Sequence, residues 1–257
     1  MRKIFALFFL FLLSFYASSQ VWKLQRFEVY GAFTTFHFFG DIGGSADKSN
    51  LFGLKDISIR STRPGFSAGG IFRLDEKIYL KADYSFGFLA ANDVGSKNAY
   101  RGYAFSSLAN EISVRGVYFI IPESNQNYYY TVMQLRGGLR KLNRPISVYT
   151  FLGVGSIFYH LSPNTELQDR IINDNIETGH NFAMLFPFGI GIKYAFIPRI
   201  SLGAELSARY VLSDYLDGFS TQYSKFNDLY YQINFKVYYR FPRSKSMKGY
   251  NQNNRRR

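Results

Sequence analysis

Three histidines, His37, His160 and His180, and three aspartates, Asp41, Asp214 and Asp217, are the residues of this chain best suited to chemistry. Neutral imidazole ligates metals, and a carboxylate or imidazole in hydrogen-bond reach can activate water, so a histidine and aspartate group gathered at one rim would perform metal-assisted or protease-like hydrolysis. The spacing matches no such motif. There is no HExxH pair, no GxSxG elbow, no cysteine nucleophile and no glycine-rich phosphate loop leading into a helix, and Gly43-Gly44 reads as a loop turn. The sequence therefore assigns no catalytic, metal-binding or cofactor-binding residue and no small-molecule substrate. An enzyme with its site at the outer rim stays a secondary reading.

A second set of polar residues is more orderly. From Leu229 to Phe241 the odd positions are Leu229, Tyr231, Ile233, Phe235, Val237, Tyr239 and Phe241, while the even ones are Tyr230, Gln232, Asn234, Lys236, Tyr238 and Arg240. Side chains of a strand alternate sides at period two, so this is a strand with one apolar and one polar face. The same sorting sets Ile78, Leu80, Ala82, Tyr84, Phe86 and Phe88 against Tyr79, Lys81, Asp83, Ser85 and Gly87. Ile112, Val114 and Tyr118 likewise oppose Glu111, Ser113 and Arg115, and Leu202, Ala204, Leu206, Ala208 and Tyr210 oppose Gly203, Glu205, Ser207 and Arg209. The charges on the polar faces are Glu28, Asp83, Glu111 and Glu205 with Arg73, Lys81, Arg115, Lys193, Arg209, Lys236 and Arg240.

Apolar outside and charged inside is the pattern of a membrane-spanning barrel. The interior of an eight-stranded barrel is only wide enough for its own side chains, so the inward charges are expected to pair rather than line a channel. A proton path or narrow gated pore is the alternative use. Gly153, Gly155, Gly189 and Gly191 fall on the inward register, where they leave room for arginine and tyrosine side chains.

Eight alternating segments position these residues, at about 27–39, 65–74, 78–91, 106–121, 146–161, 181–197, 199–213 and 229–241. The expected fold is all-β: an antiparallel transmembrane β-barrel of eight strands with a filled polar lumen. Long polar connections at 40–64, 92–105, 162–180 and 214–228 alternate with the tight turns Asp75-Glu76-Lys77 and Pro198, which places the turns and both mature termini in the periplasm. Pro122 to Pro145, with Tyr128, Tyr129 and Tyr130, breaks the rule: it is either extended strands projecting beyond the membrane or a further hairpin giving ten strands. A soluble β-sandwich is the structural rival.

Met1-Arg2-Lys3, the apolar run Ile4 to Tyr16 and the small residues Ala17-Ser18-Ser19 read as a signal peptide over 1–19, too short for a spanning helix. The barrel is assigned to 20–242 and a basic tail to 243–257. Without cysteine there is neither a disulfide nor a lipid-modified N-terminal cysteine. The formal charge of +13 becomes +11 when Arg2 and Lys3 leave, and Arg243, Lys245, Lys248, Arg255, Arg256 and Arg257 carry six of the positive charges. A secreted basic tail favours an acidic protein or envelope surface over nucleic acid.

FGDI at 39–42, FLGVGSIFY at 151–159, PFGIGIKY at 187–194, RISLGAELSARYVLSDYLDGFS at 199–220 and FNDLYYQINFKVYYRF at 226–241 resemble PorG-like outer-membrane barrels of Bacteroidota. The resemblance implies a component of the type IX secretion and gliding machinery, associated with a periplasmic ring formed by a lipoprotein and its partner. On this reading the partners are outer-membrane lipids and those ring proteins. The contact candidates are Tyr128, Tyr129, Tyr130 and the six basic tail residues. Neither the basic tail nor the long 122–145 connection matches a feature of the family.

Overall fold

Alternate burial along most of each strand decides this architecture, because it leaves one wall against lipid and one against the neighbours' side chains, and it lapses at Leu229 to Gln232, which are all buried. The computed structural model describes residues 26–40, 42, 61–94, 99–123, 145–173, 181–197, 199–213, 216, 218 and 228–241. Its strands are β1 (Phe27–Phe39), β2 (Arg63–Arg73), β3 (Ile78–Asn92), β4 (Ala104–Ile121), β5 (Ile146–Pro163), β6 (Phe182–Ile197), β7 (Ile200–Val211) and β8 (Leu229–Arg240). Each pairs antiparallel with the next, and β8 closes onto β1 from Glu28↔Arg240 to Phe39↔Leu229. A closed ladder leaves no unpaired backbone edge, the condition for strands to cross a hydrocarbon layer.

The barrel has eight strands, not ten. A further hairpin within 122–145 would have to lie between β4 and β5, yet those two pair directly from Phe105↔Pro163 to Ile121↔Val148. The strand ends differ from the sequence reading by one or two residues, and β5 runs on to Pro163 because β4 begins early enough to pair with it. Bulges interrupt the ladder at Phe119/Ile121 and Ala195/Ile197, where the consecutive pairs Ile120-Ile121 and Phe196-Ile197 are exposed.

The outer wall is apolar around the circumference: Leu80, Phe86, Ile112, Val114, Leu152, Val154, Ile190, Ile192, Leu206, Phe235 and Val237 are all exposed. Large apolar side chains outside and charged ones inside invert the order of a soluble protein, so the fold is a transmembrane barrel rather than a sandwich.

One element was not expected. The connection after β5, read as a polar loop, carries helix α1 (Thr165–Asn173). Asn164 caps it, its Oδ1 accepting the Leu167 amide at 3.2 Å and its Nδ2 donating to the Gly102 carbonyl at 2.8 Å. Leu167 and Ile171, one helical turn apart, are the buried residues of its inner face. A two-residue apolar stripe in a nine-residue helix is too short to stand out as a period.

Two inward glycines are fixed by space rather than by backbone angle. A Cβ on Gly191 would lie 2.3 Å from the Tyr149 ring, and one on Gly153 would lie 2.3 Å from the Val114 carbonyl oxygen. Outward Gly70 has nothing within 4 Å. Gly153→Ala is therefore expected to destabilise the barrel by about 1–3 kcal/mol, because backbone must move, while Gly70→Ala costs nothing measurable. Urea unfolding of the two variants in lipid, against the wild-type chain, checks this.

Candidate functional site

The two described histidines do not meet. His37 lies on the outward register of β1, hydrogen-bonded through its ring nitrogens to Thr35 Oγ1 at 3.1 Å and Thr62 Oγ1 at 3.0 Å. His160 is exposed on β5, four strands away around the barrel and so on the opposite wall. His180, Asp41, Asp214 and Asp217 lie outside the described residues. Among the described residues no three histidine, aspartate or glutamate side chains are placed to share a metal ion.

The lumen is where polar side chains converge. Glu28, Arg73, Lys81, Asp83, Glu111, Arg115, Lys193, Glu205, Arg209, Lys236 and Arg240 are all buried. Ten of the eleven fall into two ion-paired layers, and Arg115 organises the central one. Its guanidinium donates to Asp83 at 2.7 Å, Glu111 at 3.2 Å and Glu205 at 3.1 Å, joining carboxylates from β3, β4 and β7. Lys81 reaches one oxygen of Glu205 at 2.6 Å and Lys236 reaches the other at 2.8 Å, while Arg209 binds Glu111 at 3.1 Å. Planar guanidinium suits this bridging role, since its fork presents several donors in fixed directions.

Tyrosines complete the layer. Tyr30 donates to Asp83, Tyr149 to Glu205 at 3.0 Å and Tyr230 to Glu111 at 2.9 Å, and Gln232 Nε2 donates to Glu111 at 3.1 Å. A buried carboxylate must have its lone pairs satisfied to stay ionised, and these phenols supply donors that the cations leave over. Of these three tyrosines the sequence reading placed Tyr230 on a polar face, without a partner, and did not single out Tyr30 or Tyr149, because a phenol passes as either an apolar or a polar residue.

The second layer lies toward the short-turn end. Glu28 binds Lys193 and, at 2.8 Å, Arg240 Nε, while Arg240 Nη2 reaches Glu123 at 2.7 Å. Glu123 was missed because it follows the strand, beyond Pro122, where alternation no longer assigns a face. Arg73 stands apart from both layers at this end, donating to the Asp75 carbonyl at 3.2 Å, with its guanidinium over the Tyr79 ring at 5.4 Å.

The half of the lumen toward the long connections is mainly apolar, with Asp93 and Asp228 buried at its edge. Phe36, Leu89, Ile157, Leu185 and Val211 from the strands pack with Ile42, Leu167, Ile171 and Leu216 from the connections. The phase of alternation says which residues point inward, not whether they are polar, so this plug was not separated from the charged half. Between the layers a cavity of about 10 Å³ borders Lys81, Tyr149, Lys193 and Tyr238, room for no more than a single water.

Tyr128, Tyr129, Tyr130, Arg243, Lys245, Lys248, Arg255, Arg256 and Arg257 lie outside the described residues, as does the segment 1–19.

No family model matches the sequence, and no curated protein matches it. Among solved structures the chain is similar to Neisserial surface protein A, at 12% identity and TM-score 0.44 over 84% of this chain and 97% of the other. It is also similar to Ail, the attachment invasion locus protein of Yersinia pestis, in complex with the heparin analogue sucrose octasulfate (8% identity, TM-score 0.42, 84% and 99% covered). A third likeness is to the outer membrane enzyme PagL (9% identity, TM-score 0.35, 84% and 99% covered). An attachment protein and an enzyme stand side by side at this level, so the likenesses leave activity open.

Removing the hub of the central layer strands Asp83, whose ion-pair partner is Arg115. Arg115→Met is expected to cost about 3–5 kcal/mol, and Arg115→Met combined with Asp83→Asn to recover part of that loss by removing the orphaned charge. Urea unfolding midpoints for the single and double variants measure both effects.

Proposed function

We propose that this chain is a non-enzymatic outer-membrane barrel that anchors or positions a periplasmic assembly, and that the assembly is of the type IX secretion and gliding kind. The observation that carries the reading is the contrast between a lumen filled by paired charges and apolar side chains and a turn end rich in bases. A filled lumen leaves the barrel its outside surfaces to work with. Long connections at one end and, apart from 122–145, short turns at the other are the asymmetry of barrels whose turns face the periplasm, so the turn end is the end that would meet periplasmic proteins.

Charge is unevenly divided between the ends. The connection 124–144 contains Arg136, Arg140, Lys141 and Arg144 and no acid, and the tail contributes six more bases. Across the barrel, 164–181 carries Glu166, Asp169, Asp174 and Glu177 against the single base Arg170. A concentrated basic surface steers acidic partners by long-range attraction and selects against basic ones. The resemblance of the strand segments to PorG-like barrels supplies the identity of the assembly, a periplasmic ring of a lipoprotein and its partner. The segment 1–19 acts in this scheme as the export signal.

Tagged full-length chain, recovered from mildly solubilised envelopes, is expected to bring a periplasmic ring protein with it, and a chain lacking 243–257 to fold normally and lose most of it. Recovery of no such protein, with secretion intact in a deletion strain, removes the reading. Planar bilayers containing the purified barrel are expected to stay closed. Steady conductance would instead favour a small pore.

A further inference from the structure

The central layer of the lumen carries more positive than negative charge. Among the described residues its cations are Arg115, Lys81, Lys236 and Arg209, and its carboxylates are Asp83, Glu111 and Glu205. The other buried acids are engaged elsewhere: Glu28 and Glu123 balance Lys193 and Arg240 in the second layer, Asp93 holds Arg101, and Asp228 accepts the Leu216 amide at 2.8 Å. One positive charge is left over in a space without bulk water, where an unmatched ion is costly.

The surplus gathers on Glu205, which takes Arg115, Lys81 and Lys236 together, whereas Asp83 has Arg115 alone. Aromatic faces offset part of it, since Lys81 Nζ lies 5.1 Å from the Tyr30 ring centroid and 5.3 Å from that of Phe151. A ring face is a weaker partner than a counter-ion. Lys81 is also the cation of this layer that borders the cavity of about 10 Å³ between the layers, and Lys193 borders it from the second layer. An ammonium has three N–H donors, yet among the described residues each of these two makes one hydrogen bond, Lys81 to Glu205 at 2.6 Å and Lys193 to Glu28. Both side chains are almost fully buried, at 1% and 4% exposure, so bulk water does not serve the remaining donors. Ile71, Val117 and Phe119 give the cavity apolar walls. Glu28 borders it too, with its charge already matched by Lys193 and Arg240.

We propose that this cavity is a halide site, in which a single chloride takes N–H donors from Lys81 and Lys193 and cancels the surplus charge of the central layer. Water would satisfy the donors and leave the charge, so the charge selects an anion. The volume selects a monatomic one, because sulfate, phosphate and carboxylates are too large. Chloride is slightly bigger than water, and the two lysine chains are the flexible part of the wall. The ion would join the two ion-paired layers into one network and make the stability of the barrel depend on the salt in which it folds. The site is independent of the docking proposed above.

Urea unfolding of the full chain, folded into phosphatidylcholine vesicles in sodium chloride, bromide or gluconate at equal ionic strength, tests the site. The midpoint is expected to stand about 0.5–1 M higher in either halide than in gluconate, rising with halide concentration to a plateau. Lys81→Met removes the surplus charge and one donor group while Glu205 keeps Arg115 and Lys236, and it is expected to abolish the difference. Lys77→Met, an equal charge change on an exposed turn, is expected to retain it. Crystals of the wild-type barrel grown in bromide are expected to show one anomalous-scattering peak between Lys81 and Lys193, a result that does not depend on any variant folding. Equal wild-type midpoints in the three salts, a halide effect that survives Lys81→Met, or a cavity without a bromide peak overturns the site.

Discussion

Arg115 holds three carboxylates at once, and the rest of the interior is arranged around that fact. A closed ladder in lipid fixes which side chains face inward, and eight strands leave them no water to face. Asp83, Glu111 and Glu205 can occupy that space as a group only with a donor that reaches all three, and Arg115 is that donor. Lys81, Lys236 and Arg209 then take the remaining carboxylate oxygens, with tyrosines filling in. Inward glycines are the counterpart of these large side chains, since Gly153 lies against Arg115 and Gly191 against Tyr149.

The two halves of the lumen are closed by different physics. Toward the short turns, polar groups pair in layers; toward the long connections, apolar residues exclude water. Ile42, Leu167, Ile171 and Leu216 come from three different connections, so that end is capped by parts of the connections as well as by strands. A hydrophobic cap tolerates local breathing because no single contact carries it, whereas each ion pair depends on particular atoms. On the reading proposed above, function falls to the ends of the barrel, and the charge contrast between them gives the turn end the stronger claim on a protein partner.

The fold was legible in the sequence to a large degree. Ile78 to Phe88 and Leu229 to Phe241 declare their faces residue by residue, and the segments they typify gave the strand number and the order of long and short connections. Helix α1 was not legible, since two apolar residues four apart in a polar connection resemble any loop. Nor was the use of His37 and His160: both were placed near one rim, but their positions on opposite outer walls emerge only from the closed ring. The site was visible as a set of inward charges and hidden as a set of partners. Glu123 was absent from that set because no alternation extends to it.

The sequence by itself determined which face each strand residue takes, and with it an inside-out barrel, because alternation is a local property set by the backbone's period of two. Only the tertiary structure decided which charges meet. Arg115 lies 32 residues from Asp83 and 90 from Glu205, and Arg240 lies 117 from Glu123. Those separations are bridged by the stagger between strands around the barrel and by the reach of side chains across it. Neither quantity is written in any single strand, so a chain can announce that its charges point inward without announcing the partners they will find.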